Sequence, residues 1–498
     1  MRPRAYLGRE VRQWRPTICV CAALAATLAP AAGLAAPARS PLAHAGRMLG
    51  HTRIVLHAGR RSPAHAGRSS PAHFPPPPNP LTPGRSALVR ESPFGLSIEY
   101  PLLERALGPG PCPSAGLVST LRELGSPAIR IGGDSQDLAG PTAAYHYDIP
   151  PSFWTALGCL ARETGVQVTV GLNFATNSLA GQRATIAAAQ NAIGASQLDF
   201  SLGNEPDLYT ISHIIPNEPG FIVPSFRSPP WTAGAFAREW QARRAQLGAI
   251  HLEGPDLAGT GWRARIEQTL REDPPSQVDA HGYPTVAPCG KSGLSATAAH
   301  LLSIHASVGM AEKLSWLAQT AHSIGRPAVI SETNSASCGG RPGVSDAPVS
   351  GVWAIRYVIA SLLTGFAQVR FHSAGTSYDP LVFDPTHPGG AVTLRPLGRA
   401  LLFLHHWLPA GARVVAISRD PEVMAVKVTS GSHTSTILSS FASRRVSFAV
   451  AAPGAGGRAR TGTMTATSAT EAGGSVAVRA GRAVLRLAPN TIVALQTR

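Results

Sequence analysis

The stretch Asp199-Phe-Ser-Leu-Gly-Asn-Glu-Pro-Asp207 decides the fold. An apolar run closes on a carboxylate and Pro206 then interrupts the chain, which puts Glu205 at the mouth of a buried strand. A second run of the same design, Ala328-Val-Ile-Ser-Glu-Thr-Asn334, brings Glu332 to an equivalent position. Outward from these two, strand-like runs recur at 94–100, 127–132, 166–173, 250–259, 277–283 and 367–372, and the one at 250–259 is the least regular. Helix-compatible stretches separate them at 116–124, 152–164, 182–193, 233–247, 261–271, 297–324 and 352–364. Eight such alternations predict an α/β fold, a TIM (β/α)8 barrel over 91–396.

Past Pro396 the pattern changes. After a short helical segment at 397–407, brief alternating runs at 423–429, 434–439, 446–451, 475–480 and 491–496 lie between Gly- and Ser-rich turns. They predict a C-terminal β-sandwich domain over 397–498, more often a structural support than a sugar binder.

The charge is confined to one end. Residues 1–90 hold 13 of the 44 Lys and Arg residues and, of the 28 acids, only Glu10, so +12 of the +16 formal charge resides there. The folded body is close to neutral, which argues against a nucleic-acid partner. Five arginines precede an apolar stretch at 18–32 that Pro30 and Gly33 cut short, and small residues follow at Ala35 and Ala36. Residues 1–36 thus read as a cleaved export signal, with a retained anchor as the alternative and no stable membrane span expected. Residues 37–90 read as a disordered Pro/His/Arg-rich linker in which His-Ala-Gly-Arg recurs three times. Its histidines lack the fixed spacing and neighbouring acids of a metal site.

Two glutamates at the strand mouths suit hydrolysis of a glycosidic bond. That chemistry needs one carboxyl held protonated to donate to the leaving oxygen and another kept ionised against the anomeric carbon. The alternative for each is a partly exposed strand-end Glu. Other polar and aromatic residues gather at strand ends as well: Glu99, Asp134, Asn173, Asn204, His281, Tyr283 and His372. That is the face on which TIM barrels carry chemistry, although His372 taken singly reads as a strand cap. No cofactor or metal is implied, because two carboxyls and water suffice.

Four strings carry a resemblance: Ile129-Arg-Ile-Gly-Gly-Asp-Ser135, Leu202-Gly-Asn-Glu-Pro-Asp207, His281-Gly-Tyr-Pro284, and Glu332-Thr-Asn-Ser335 followed by Gly343-Val-Ser-Asp346. In order and spacing they resemble the heparanase and β-glucuronidase family of glycoside hydrolases, family 79, over about residues 93–400 and in outline beyond. The resemblance implies Glu205 as acid/base on the fourth strand, Glu332 as nucleophile on the seventh, and retention of anomeric configuration. It further implies Asn204 as donor to the sugar 2-hydroxyl, Tyr283 as partner of Glu332, and Tyr378 as reader of a uronic acid carboxylate. Arg130 is expected beside a carboxylate, either to keep Glu332 ionised or as a salt bridge inside the barrel. Glu99 reads equally as a partner for sugar hydroxyls or as a plain strand-end acid.

The implied activity is that of a secreted exo-β-glucuronidase acting on glucuronide-bearing oligosaccharides, polysaccharides or glycoconjugates. The chain lacks a basic cluster like the heparin-binding segments of animal heparanases, which favours terminal release over cleavage within a sulfated polymer. The alternatives are a retaining glycosidase of the same clan acting on neutral sugars, and a secreted carbohydrate-binding protein without turnover. Removal of the leader leaves four cysteines. Cys289 and Cys338 each lie six residues beyond a strand-end site residue, Tyr283 and Glu332, so adjacent loops bring them together and a Cys289–Cys338 bridge is expected. Cys112 and Cys159 are expected to be free. Four reduced cysteines are the alternative.

Overall fold

The computed structural model describes residues 79–497 apart from 140–146, 177, 215–221, 288–292, 385–386, 388 and 455. The expected export signal, most of the expected linker and Cys289 therefore lie outside the described residues.

Eight parallel strands close into a barrel in the order of the sequence: Phe94–Ile98, Ile129–Ile131, Val168–Leu172, Leu198–Leu202, Leu252–Leu257, Gln277–His281, Ala328–Thr333 and Gln368–Ser373. Nearly every residue of these strands is buried, as expected where helices cover the outer face and side chains fill the inner one. The helices are set by local signals. Pro348–Thr364, for example, opens with proline in its first turn and closes on Gly365 in the left-handed region. From Val349 to Leu363 it is buried all round, because the barrel lies on one side and further elements on the other.

One of those elements is the helix Pro396–Trp407, assigned from sequence to the C-terminal domain. It follows the eighth strand and crosses Pro348–Thr364 so closely that a Cβ on Gly351 would lie 2.9 Å from the Pro396 carbonyl. It is the eighth barrel helix, and the barrel extends to about Trp407.

Eight C-terminal strands, joined by Ser86–Leu88, form one nine-stranded antiparallel sheet. Its long strand Ser468–Arg479 pairs with Arg458–Thr465 along most of its length and with Arg482–Leu487 at its end. The sheet thereby doubles back on itself as a sandwich. Alternation does the rest: Val423 and Ala425 face the core between the layers, with Val446, Leu485 and Leu487, while Met424 and Val426 turn toward the barrel. Arg356, fully buried on the barrel side, spans that junction by donating to Ser439 Oγ at 2.7 Å, the Ser440 carbonyl at 2.6 Å and the Leu302 carbonyl at 2.8 Å.

Two sequence expectations need correction. Residues 86–90 were expected within the linker, but Ser86–Leu88 is a strand that pairs antiparallel with Arg413–Ala416 at the sheet edge. A three-residue strand is too short to show alternation. Cys112 and Cys159, expected to be free, form a disulfide with Cα atoms 5.2 Å apart, joining the loop after the helix Tyr100–Leu107 to the helix Pro151–Thr164. Cys338 is itself disulfide-bonded.

Candidate active site

The fourth strand ends in a turn that few residues accept. Gly203 has φ +84°, and a Cβ there would lie 2.6 Å from the Tyr209 hydroxyl. Glu205 itself occupies the left-handed region at φ 47°, ψ 52°, an uncommon conformation for a residue with a side chain. Its N–H donates to the Asp256 carbonyl at 2.9 Å, and Pro206 begins the short 3-10 turn Pro206–Leu208. The turn is clasped from two sides. Asp207 accepts the N–H groups of Ala258 and Gly259, both at 2.9 Å, and burial together with the Glu205 charge lifts its pKa to about 6. Asp137 accepts from the N–H groups of Asn204, Phe174 and Ala175 and from the Tyr209 hydroxyl at 2.6 Å, and burial raises its pKa despite these donors.

The seventh strand delivers Glu332 through an irregularity. Its register slips between Ile330 and Glu332 against the sixth strand, and between Ile330 and Thr333 against the eighth. Such a bulge re-aims a side chain. One oxygen of Glu332 accepts from the Tyr283 hydroxyl at 2.7 Å, the other from Arg130 Nη1 at 2.9 Å. Nδ1 of His372 lies 3.5 Å away and Nδ1 of His281 3.9 Å. Burial alone would raise the pKa of this carboxyl. The charges of His372, His281 and Arg130, with the Tyr283 hydrogen bond, outweigh burial and hold it at about 2.

Glu205 stands in different surroundings. It is partly exposed, and its Oε1 lies 3.0 Å from His281 Nδ1. His281 Nε2 lies 3.1 Å from Asp256 Oδ1, and the ring is held protonated, its pKa well above the usual value: burial opposes this, and Glu332, Asp256 and Glu205 overcome it. Asp256 reaches the site from a left-handed residue at a bulge in the fifth strand. It also accepts from Ser331 Oγ at 2.9 Å and Arg130 Nη2 at 3.3 Å, and its pKa is depressed against its burial, chiefly by Arg130.

Carboxylate oxygens of Glu205 and Glu332 lie within 4.8 Å of each other and of a His281 nitrogen. Among the described residues this trio is also the one grouping compact enough to share a metal ion. The imidazole does not suit that role, since a ligating histidine must be neutral and both ring nitrogens here face carboxylate oxygens.

Arg130, fully buried, also donates to Asn204 Oδ1 at 3.0 Å and Ser97 Oγ at 3.0 Å, so it is at once the salt bridge inside the barrel and the cation beside Glu332. Asn204 is thereby fixed with its amide nitrogen unbonded to any other described residue. Glu99 accepts from the N–H groups of Asp134 and Ser135 and from Ser135 Oγ, and lies 3.3 Å from His372 Nε2. Both its oxygens are therefore engaged by the protein. Tyr378 packs edge-on to His372 with centroids 6.0 Å apart, and its hydroxyl meets no other described residue. Asn334 donates to the carbonyls of His372 and Tyr378, tying the seventh strand to this wall.

The structure thus gathers Glu99, Arg130, Asn204, Glu205, Tyr283, Glu332 and Tyr378 at one end of the barrel. Two polar partners, Asp137 and Asp256, had no place in the sequence reading, which set His281 on this face without giving it a role. His372, read singly as a strand cap, contacts Glu332.

No protein-family model matches the chain. A β-glucuronidase of Neurospora crassa is 25% identical over 328 residues, and the chain spans 57% of that relative's length. The fold is similar to that of a 4-O-α-L-rhamnosyl-β-D-glucuronidase from Fusarium oxysporum 12S, with a TM-score of 0.64 and 21% identity over 85% of this chain and 99% of that one. It is also similar to a family 44 xyloglucanase of Paenibacillus polymyxa, with a TM-score of 0.58 and 11% identity over 83% and 97%. The chain is glycoside-hydrolase-like in fold.

Proposed function

We propose that the protein is a retaining β-glycosidase, and specifically an exo-β-glucuronidase. The observation that carries this reading is the pair of carboxyls in unlike surroundings, with oxygens within 4.8 Å of each other. Retaining enzymes hold their carboxyls roughly 5–5.5 Å apart, whereas inverting ones leave about 6.5–9.5 Å for a water. Glu332, ionised and held by Tyr283 and Arg130, attacks the anomeric carbon as the bond to the leaving oxygen breaks, and Glu205 passes its proton to that oxygen. Glu205 then takes a proton from water, whose oxygen displaces Glu332 and frees the sugar. The amide of Asn204, fixed by Arg130, is available to the 2-hydroxyl.

The glucuronide preference is supported by the uncommitted Tyr378 hydroxyl beside His372, whose pKa is raised against its burial by Glu332 and Glu99. A phenol donor next to an imidazole whose protonated form is favoured by its carboxylate neighbours suits a substrate carboxylate. The printed activities of the Neurospora and Fusarium proteins point the same way. We further propose that the chain is exported, a reading supported by the Cys112–Cys159 disulfide, since such bonds persist in oxidising compartments. We also retain the Cys289–Cys338 bridge as a proposal. Among the described residues no helix is long and apolar enough to cross a membrane.

Chromogenic β-glucuronide, β-glucoside and β-xyloside test the reading together. Glucuronide turnover well above the other two is expected, with the β-anomer of glucuronic acid as first product and nearly all turnover lost in Glu332→Gln. Preference for a neutral glycone would transfer the assignment to another substrate, and an α-anomeric first product would exclude retention.

A further inference from the structure

We infer that Asp279 is a neutral carboxylic acid and a positioning residue, one that clasps Asp256 at two points and through it sets His281 against Glu205. Its bearing on turnover rests on the proposed reaction, in which Glu205 is the proton donor. Asp279 and His281 stand two residues apart on the sixth strand, so both side chains enter the barrel interior. Asp279 is fully buried, and its Oδ1 accepts the N–H of Asp256 at 2.8 Å. That bond supports a residue in the left-handed region, at φ 53°, where few residues with a side chain rest unaided.

The rest of the carboxyl has no partner that suits a charge. Oδ2 is buried and accepts from no described residue. The neighbouring cations are committed elsewhere: Arg130 to Asp256 and Glu332, Arg370 to Glu253, and His281 to Asp256 and Glu205. A buried carboxylate without a cation is costly enough to take up a proton instead. Burial, followed by the charges of Asp256 and Glu253, accordingly pushes the pKa of Asp279 well above the usual carboxyl value, and the N–H of Asp256 opposes this only in part.

The side chains of Asp279 and Asp256 are hydrogen-bonded to each other, and two carboxylates cannot be, because neither has a hydrogen to give. Asp256 is the acceptor, since His281 Nε2 at 3.1 Å, Ser331 Oγ at 2.9 Å and Arg130 Nη2 at 3.3 Å already meet its carboxylate. The proton therefore stays on Asp279, on the oxygen that has no donor. A neutral acid is the one form of this side chain able to accept from the Asp256 backbone and donate to the Asp256 carboxylate at once. With Asp256 held from both ends, the imidazole that bonds it is held too, and so is the contact between that imidazole and Glu205.

The test uses the fact that an amide reproduces both contacts and a hydrocarbon neither. On whichever aryl glycoside the protein cleaves, Asp279→Asn should keep a kcat/KM at least about tenfold above that of Asp279→Leu, with both limbs of the pH profile in place. The infrared difference spectrum of wild type minus Asp279→Asn at neutral pH should carry the carbonyl stretch of a protonated carboxyl. A carboxylate band in its place, a shifted limb in Asp279→Asn, or an Asp279→Asn no more active than Asp279→Leu overturns the inference. If Asp279→Leu does not fold, the spectrum and the pH limbs of Asp279→Asn decide. If the wild type cleaves no glycoside, the proposed reaction falls, and the imidazole N–H resonances of His281, identified by their loss in His281→Gln, decide the inference. Resonances kept in Asp279→Asn and moved in Asp279→Leu support it, and any other pattern overturns it.

Discussion

His281 bridges Glu205 and Asp256, with one ring nitrogen 3.0 Å from a carboxylate oxygen of the first and the other 3.1 Å from an oxygen of the second. Asp256 is held ionised, chiefly by Arg130, and only accepts, and the negative charge around the ring lifts its pKa well above the usual value, so the imidazole holds a proton toward each neighbour. The acid/base candidate therefore has a fixed cation at its back, and that cation is anchored in turn through Asp256 to Arg130.

If Glu205 is the acid/base, its proton matters most when the leaving group is poor. Glu205→Ala should abolish cleavage of alkyl glycosides, keep glycosylation by an aryl glycoside with a good leaving group, and gain rate with added azide. Equal losses on both substrates without azide rescue would count against the role.

If Glu332 is the nucleophile, the acid side of the pH profile belongs to it. His372 comes first among the charges that hold its pKa at about 2, so His372→Gln should raise that pKa toward the ordinary value of 4.5. The nucleophile would then protonate at higher pH, and the acid limb of kcat/KM should move up by about one pH unit. A profile that drops in height without moving its limb would mean that His372 only shapes the wall.

Tyr378→Phe removes one donor from the pocket assigned to the substrate carboxylate. An unpaired buried carboxylate typically costs about 1–3 kcal/mol, so the glucuronide-to-glucoside ratio of kcat/KM should fall roughly ten- to a hundredfold. A constant ratio would show that the carboxylate is read elsewhere or that the glycone is neutral.

Arg356 predicts a stability effect remote from the site. Burial without an opposing carboxylate pushes its pKa down to about 9, and it is retained through its hydrogen bonds across the junction. Arg356→Met leaves those acceptors unpaired and should lower unfolding stability by about 1–3 kcal/mol, read by denaturant titration. Unchanged stability would mean that removing a buried charge offsets the lost bonds.

The barrel was legible because seven of its strands are short proline-free runs rich in apolar residues, and Glu205 and Glu332 were legible because each stands at the end of one. The fifth strand, Leu252–Leu257, includes Gly254 and Pro255, residues that normally argue against a strand interior. Asp256 sits just past them, so its place in the site could not be read. Asp137 was hidden differently, because its four donors come from the two loops after the third and fourth strands and no spacing in one segment reports such a meeting. His281 and His372 were visible as residues but not as sites of raised pKa, since that shift depends on carboxylates that only the closed barrel assembles. Cys159 follows the buried face of its helix, where a cysteine reads as a small apolar residue, and its partner lies in a Gly- and Pro-rich loop without periodicity.

The pairing of Ser86–Leu88 with Arg413–Ala416 gives this chain a particular kind of inheritance. The polypeptide lays down an edge of the sheet, departs to build all eight barrel strands, and returns to complete the same sheet. Neither module has a border that recombination could cut without taking a piece of the other. A gene fusion that swapped the terminal module alone would leave the first strand bound for a sheet no longer encoded behind it, so the two are expected to descend, and to be engineered, as one unit.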